Sequence, residues 1–304
     1  MGNWKPIKKR ILGEWIIGWG FVLPFVALWI IWFAKPFFEA FQFSLYRFSF
    51  AYPDQTKYLG LQNYIDILHD HYFWIAFRHS FIFVLITVPA LLVSSLPIAA
   101  LLNGQFRGRG LFRTIFYTPY VVSSIAVTTV FMYFFIQGGL LSRLFHLFGL
   151  ANVTWYTNIN YALPFVIIIY IWQYTGFYVV IYLAGIQGIS QELYEAAKVD
   201  GATSFQILMK ITVPLLRPTI FFGTTLSLIN AFQVFDQIAA LCKNSVIGSP
   251  AGATSTLVTY FYSYSFNYYE MGYGSAAAVI LFLFILCFTV INQIISNKMG
   301  EYST

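Results

Sequence analysis

The chain has 304 residues, of which 59% are hydrophobic, 21% aromatic and only 9% charged; a soluble domain averages about 45–50% apolar and about 25% charged. So few charges do not cover the surface of a soluble protein of this size, which excludes a cytosolic globular enzyme and leaves a chain that must face lipid. The net charge of +6 comes with no dense basic run beyond Lys8-Lys9-Arg10, so it reads as the cytoplasmic Lys/Arg bias of a membrane protein rather than as a nucleic-acid surface.

The first apolar run follows Lys5, Lys8, Lys9 and Arg10 as a signal n-region does. It runs too far and lacks a small-residue cleavage site, so it reads as an uncleaved span. Six spanning helices are predicted, over residues 15–34, 74–102, 111–136, 162–187, 218–241 and 272–295. Each has room for the roughly 20 residues that a bilayer core demands. Pro24, Pro89, Pro97, Pro119 and Pro164 fall inside them, where neighbouring helices and local water satisfy the freed carbonyls. The fold class is therefore an all-α polytopic membrane protein.

With the N-terminus inside, 11 of the 17 Lys and Arg residues lie on the cytoplasmic side. That bias puts both termini in the cytoplasm. The chain then divides into a cytoplasmic segment 1–14, a first span with its external loop 15–73, a transmembrane core 74–296 and a cytoplasmic tail 297–304. The first external loop, from about residue 35 to 73, is expected to carry a short amphipathic helix near 63–69. Tyr117, Tyr120, Tyr133 and Tyr170 read as interfacial aromatics. Cys242 and Cys287 lie far apart and indicate neither a disulfide framework nor a metal box.

The cytoplasmic loop 188–217 is the most informative stretch. Ser190 is placed to cap a helix whose first turns hold Glu192 and Glu195, matching the positive end of its dipole. Gly201 is placed to end it in the left-handed conformation. Thr203 or Ser204 caps a second helix, 205–213, stopped by Pro214, and Pro218 opens the next span. Ala196 and Ala197 leave a small-residue face open to close approach, while Glu195 and Asp200 offer charge to a basic partner. The alternative, a helix lying on lipid headgroups, fits poorly with these acids because the cytoplasmic leaflet is anionic.

Glu195-Ala196-Ala197, then Asp200-Gly201-Ala202, Phe205, Ile211, Pro214 and Pro218 resemble the EAA loop of ABC-importer permease subunits. The resemblance covers most of the chain from about Trp74 onward, and it implies the type I importer permease fold. Within that family the chain is similar to the maltose-type sugar permeases. The residues behind this are Tyr58-Leu59-Gly60-Leu61-Gln62-Asn63-Tyr64, Phe232-Gln233-Val234-Phe235-Asp236, Ala253-Thr254-Ser255-Thr256-Leu257-Val258 and Gly272-Tyr273-Gly274-Ser275-Ala276-Ala277-Ala278. One departure is that residues 243–250 replace the Gly-Gly-Pro-like turn common before the Thr-rich stretch.

The resemblance implies a bacterial inner-membrane heterodimer. A second homologous permease would complete the pathway, two ATPase subunits would dock on the EAA loops, and an extracellular or periplasmic solute-binding protein would deliver a sugar. ATP and Mg would be bound by the ATPase subunits and no cofactor by this chain. By the same resemblance, Glu195, Ala196, Ala197, Asp200, Gly201, Ala202 and Pro214 form the ATPase-coupling surface.

Polar residues inside a span are costly and usually face a cavity or a partner helix. Ser227, Asn230, Gln233 and Asp236 recur every three residues on the fifth span, and Gln173, Tyr174 and Phe177 share one side of the fourth. Amides and carboxylates hydrogen-bond sugar hydroxyls, and aromatic rings pack on pyranose faces, so these residues are the candidate substrate pathway. Ordinary interhelical hydrogen bonding at a subunit contact is the alternative.

His69-Asp70-His71 has no standard zinc spacing, and Gly272–Ala277 imitates a dinucleotide fingerprint without a preceding strand, so close helix packing explains it better. Asn152-Val153-Thr154 matches a glycosylation acceptor only by accident. The sequence contains neither a phosphate loop nor a His-Glu-x-x-His motif, so the chain is expected to be neither the ATPase nor a zinc protease. Three rival readings remain: a polyol or glycerol-phosphate importer of the same family, a membrane-embedded enzyme, for which the sequence supplies no catalytic constellation of recognisable spacing, and an ion-coupled secondary transporter. The last has only Asp236 as an intramembrane acid and no inverted repeat.

Overall fold

A computed structural model describes residues 7–104, 106–150, 152–242 and 246–301. Lys5, Lys243 and the last residues of the tail, 302–304, lie outside that description, as do the side chains of Lys8, Lys9 and Arg10. Among the described residues five helices are long and apolar enough to cross a membrane, and a bent pair brings the number to six when it is counted as one span.

The first helix is longer than the sequence predicts. α1 (Ile7–Trp29) passes through a π-helical turn, Ile30–Ala34, straight into α2 (Lys35–Ser44), so residues 35–44 extend the span instead of opening a loop. Pro36 explains the wide turn. It has no N–H to give to the carbonyl four residues back, and the Lys35 N–H instead reaches Ile30, one residue further than in an α-helix. Trp19, Phe21 and Phe25 stand exposed along α1 and Trp32 on the π-helical turn, whereas α2 packs on the last helix through Phe37 and Phe41, both edge-on to Phe282.

Beyond α2 the chain makes a small antiparallel pair, β1 (Tyr46–Arg47) and β2 (Lys57–Tyr58), then α3 (Gln62–His69), which is the short amphipathic helix expected near 63–69. Buried Asn63 donates to the carbonyls of Ser44 at 2.8 Å and Tyr46 at 3.0 Å, pinning α3 to the end of α2. The His69-Asp70-His71 run is a helix boundary: Asp70 Oδ1 accepts from the Tyr72 N–H at 2.9 Å and caps α4 (His71–Asn103).

α4 packs lengthwise on α8 (Ala162–Gln187), the helix at the centre of the core. Tyr170, Tyr178 and Tyr182 of α8 and Phe73, Phe83 and Leu91 of α4 are buried in one apolar cluster, with Phe83 edge-on to Tyr170 at 5.0 Å. The third crossing is α5 (Arg109–Val121) followed by α6 (Ser124–Phe134), bent by 97° at the residues between them. A continuous span 111–136 was expected; the break falls just after Pro119, and α6 leaves along a new direction. α7 (Leu140–Leu147) follows, with Asn152 Oδ1 accepting from the Gly138 N–H at 2.9 Å and the Ser142 hydroxyl at 3.1 Å.

After α8 come α9 (Gln191–Val199), α10 (Ser204–Ile207), a π-helical turn at Leu208–Thr212, and α11 (Val213–Leu215). The fifth crossing is also interrupted: α12 (Arg217–Phe232) ends before α13 (Asp236–Leu241) begins. One further element has no counterpart in the predicted spans. α14 (Leu257–Tyr262) and a π-helical turn, Ser263–Asn267, pack between α4 and α15 (Met271–Glu301). Residues 246–256 ahead of it are not helical, and Gly248, Ala253, Thr254 and Thr256 among them are buried. The glycine- and alanine-rich start of α15 is a close-packing run: a Cβ on Gly272 would sit 2.0 Å from the Tyr46 carbonyl oxygen, and Ala276 and Ala277 are buried.

Candidate functional site

The loop 188–217 folds from its own local signals. Ser190 Oγ accepts from the Glu192 N–H at 3.3 Å and caps α9. At the other end the Gly201 N–H reaches the Lys198 carbonyl at 3.1 Å and the Ala202 N–H reaches Ala197 at 2.9 Å, the paired bonds of a Schellman stop. Gly201 has φ +74°, a conformation that only glycine adopts without strain. Thr203 then caps α10 reciprocally with Gln206. The two short helices joined by a glycine turn are therefore present. Pro214 does not end the second helix, as its ring suggested; it lies in α11, inside a helical run that continues to Leu215. The π-helical turn before it makes this possible, because the Val213 N–H bonds back to Leu208, the same device that precedes Pro36.

Glu195, Ala196, Asp200 and Gly201 are exposed, and Ala197, Ala202 and Pro214 are half-buried. Exposed Val199 and Phe205 flank the glycine turn and give this polar knuckle an apolar tip. Its two arms are tied together by Tyr194, whose hydroxyl lies 3.2 Å from the buried Thr212 hydroxyl.

The second group gathers where the two broken crossings meet α8. Tyr120, near the end of α5, stacks on Phe177 with ring centroids 4.5 Å apart and stands edge-on to Tyr174 at 5.6 Å. Tyr174 in turn stacks on Tyr170 at 4.3 Å. Across from them Asn230 is half-buried near the end of α12, its amide 3.5 Å from the Tyr178 hydroxyl. Gln233 is exposed at the C-cap of α12 and Asp236 is exposed as the first residue of α13. The three polar residues do not form one stripe on a continuous helix, because the break at 233–235 separates them; Asp236 still lies on the side of the aromatic rings, since its neighbour Gln237 donates to Gln173, the residue before Tyr174, at 3.0 Å.

Two predicted pathway residues stand behind this surface. Ser227 is buried and its hydroxyl donates to the Thr224 carbonyl at 2.9 Å. Gln173 is only 2% exposed, with its amide committed to protein partners. From sequence Tyr120 reads as an interfacial aromatic; its place beside Phe177 comes from the packing of α5 along α8, a tertiary contact with no local sign. The surface joins flat aromatic faces, two amides and one carboxylate, with no Lys or Arg among the residues just named. That chemistry suits an uncharged, polyhydroxylated solute.

Residues 93–301 match the model of the family described as binding-protein-dependent transport system inner membrane component. Among curated relatives, the lactose transport system permease protein LacF of Rhizobium radiobacter is 33% identical over 80% of this chain and 81% of its own length. The trehalose/maltose transport system permease protein MalF of Thermococcus litoralis is 32% identical over 79% and 80%. The crystal structure of a bacterial ABC transporter involved in the import of the acidic polysaccharide alginate contains a chain that superposes with TM-score 0.78 at 22% identity, covering 97% of this chain and 99% of that one. The extent of the family match and the identity to these relatives establish that this chain belongs to the binding-protein-dependent transport system inner membrane components: it is a multi-pass transport permease with the type I importer fold.

Proposed function

We propose that the chain is one permease subunit of an ATP-driven, binding-protein-dependent carbohydrate importer, and that it lines half of the translocation pathway. A second, related permease supplies the other half. Two ATPase subunits, which bind ATP and Mg, take the α9–Gly201–α10 knuckle into a surface groove, and a solute-binding protein delivers the sugar on the opposite side. Both termini face the cytoplasm, and the division into segments 1–14, 15–73, 74–296 and 297–304 follows from that orientation. Residues 195–197, 200–202 and Pro214 carry the coupling; Tyr174, Phe177, Asn230, Gln233 and Asp236, joined by Tyr120, face the solute, with Gln173 and Ser227 behind them.

The observation that carries this reading is the knuckle itself: a capped helix, a Schellman stop at Gly201 and a second capped helix, exposed at its tip and tied across its two arms by Tyr194 and Thr212. A rigid element of that form transmits displacement from a docked partner into α12, which starts at Arg217, with no flexible linker between. The sugar assignment is supported by the aromatic–amide surface and by relatives named for lactose and for trehalose/maltose; a phosphate-bearing polyol calls for basic residues that this surface lacks.

The test is reconstitution of the chain with its genomic partners in liposomes. Uptake of a labelled neutral sugar that requires both ATP inside and the binding protein outside supports the reading. Uptake that persists without ATP and collapses with an ion gradient overturns it.

A further inference from the structure

Gln173 and Gln237 are each 2% exposed and form a bridge between the two helix breaks. The Gln173 amide nitrogen donates to the Val122 carbonyl at 3.1 Å and to the Ser124 hydroxyl at 3.1 Å. Val122 is the C-cap of α5 and Ser124 the first residue of α6, so one side chain holds both sides of the 97° bend. Its oxygen accepts from the Gln237 amide nitrogen at 3.0 Å. Gln237 is the second residue of α13, directly after the break in the fifth crossing. Both donors of Gln173 and its carbonyl oxygen are thus used within the protein, which leaves no N–H to offer a passing solute.

Apolar contacts alone would hold α6 and α13 against α8, because burial is non-directional. Hydrogen bonds add register: an amide buried without its partner costs about 1–3 kcal/mol, so the network is satisfied in one arrangement of the two breaks. Two residues that the surface depends on lie immediately beside those breaks. Tyr120 is two residues before Val122, and Asp236 is the residue before Gln237.

We infer that the Gln173–Gln237 pair is a positioning device that fixes Tyr120 and Asp236 relative to Tyr174 and Phe177, and so sets which sugar is carried without touching it. This inference rests on the carbohydrate reading above.

The experiment uses the complete transporter in liposomes with two labelled sugars, maltose and trehalose or whichever pair among lactose, maltose, trehalose and arabinotriose the unaltered complex moves. Each is supplied at a concentration that saturates the binding protein, and the ratio of the two transport rates is measured. Gln173→Leu, Gln237→Leu and the double variant are compared with Asn230→Ala and Tyr120→Ala. The double variant replaces both amides by similar apolar volume and leaves neither one orphaned, so it keeps the test valid if a single variant fails to assemble.

The expected result is a shift of the ratio by about threefold or more in each glutamine variant, with the double variant no worse than the singles because the pair acts as one unit. A purely structural role lowers both rates in parallel with the amount of assembled complex and leaves the ratio fixed, which overturns the inference. If Asn230→Ala and Tyr120→Ala shift the ratio and the glutamine variants do not, the inference alone falls. If none of the variants shifts it, the solute surface falls with it.

Discussion

Gly176 of α8 lies directly against the backbone of Phe116 of α5: a Cβ built on the glycine would stand 1.8 Å from the Phe116 carbonyl oxygen. Small residues at helix crossings let backbones approach in a bilayer, where lipid supplies no hydrophobic drive between helices. This crossing seats α5 so that Tyr120, one turn further on, meets Phe177.

Gly176→Ala is therefore expected to push α5 away rather than fill a space. The obstacle is backbone, which does not rotate aside as a side chain does, and overpacking of this kind costs about 1–3 kcal/mol. A lower unfolding temperature of the detergent-solubilised transporter, with transport reduced further than the amount of complex, checks this; unchanged values of both contradict it.

At Gly201 the space is open, with nothing within 4 Å of a built Cβ, so any effect of substitution comes from the backbone. A β-branched residue at φ +74° strains the Schellman stop by about 1–3 kcal/mol. Gly201→Val is expected to reduce sugar uptake about tenfold while insertion into the membrane remains normal, and Gly201→Asn to retain more, because asparagine tolerates this conformation. Wild-type uptake by Gly201→Val counts against the knuckle as a lever.

Asn230→Ala and Gln233→Ala each remove an amide from the proposed solute surface. About a threefold to tenfold loss of sugar transport, with ATP hydrolysis by the assembled complex retained, is the expected outcome. Unchanged transport kinetics in both variants would refute their placement in the pathway.

Asp70 joins three elements. Its Oδ1 caps α4, and its Oδ2 accepts from the hydroxyls of Tyr260 and of Tyr264, the latter at 3.1 Å. Burial, reinforced by this carboxylate, holds the Tyr264 phenol above its ordinary value of 10.0. A group whose pKa is raised on folding stabilises the fold fully below its unfolded value and loses that contribution as pH climbs towards the folded one. The unfolding temperature is thus predicted to be flat with respect to this group at neutral pH and to fall above about pH 10. Tyr264→Phe should make that alkaline decline shallower, and an identical pH profile in the variant contradicts the assignment. Asp70→Ala, which removes a cap worth about 1 kcal/mol together with both tyrosine acceptors, should lower the unfolding temperature at every pH.

Much of the architecture was legible in the chain because apolar runs and capping residues are local signals. The span over Ala162–Gln187 and the knuckle with Ser190, Gly201 and Thr203 follow from such signals. What the sequence hid was tertiary. Pro36 and Pro214 each follow a π-helical turn that carries the helix through the proline, so reading Pro214 as a stop missed the adjustment made one turn earlier. The breaks after α5 and α12 lie inside apolar runs of spanning length, and their geometry is held by Gln173 and Gln237, whose partners are 49 to 64 residues away. α14 is too short and too rich in hydroxyls to register as a span; its place is defined by contacts such as the Leu257 N–H donating to buried Ser80 at 2.8 Å. The candidate site shares this division, since Asn230, Gln233 and Asp236 were visible as polar residues in a span while Tyr120 came into view only with the packing of α5 on α8.

The central claim is that this permease works as half of a pathway driven by separate ATPases, and the most direct measurement is purification of the tagged chain from its own cells in mild detergent, with mass spectrometry of what accompanies it. The account predicts a second permease bearing the same cytoplasmic loop together with a phosphate-loop ATPase, and replacing residues 195–202 by a flexible linker is expected to lose the ATPase while the second permease is retained. A chain that purifies alone or only with copies of itself, under conditions where other membrane complexes survive, would contradict it.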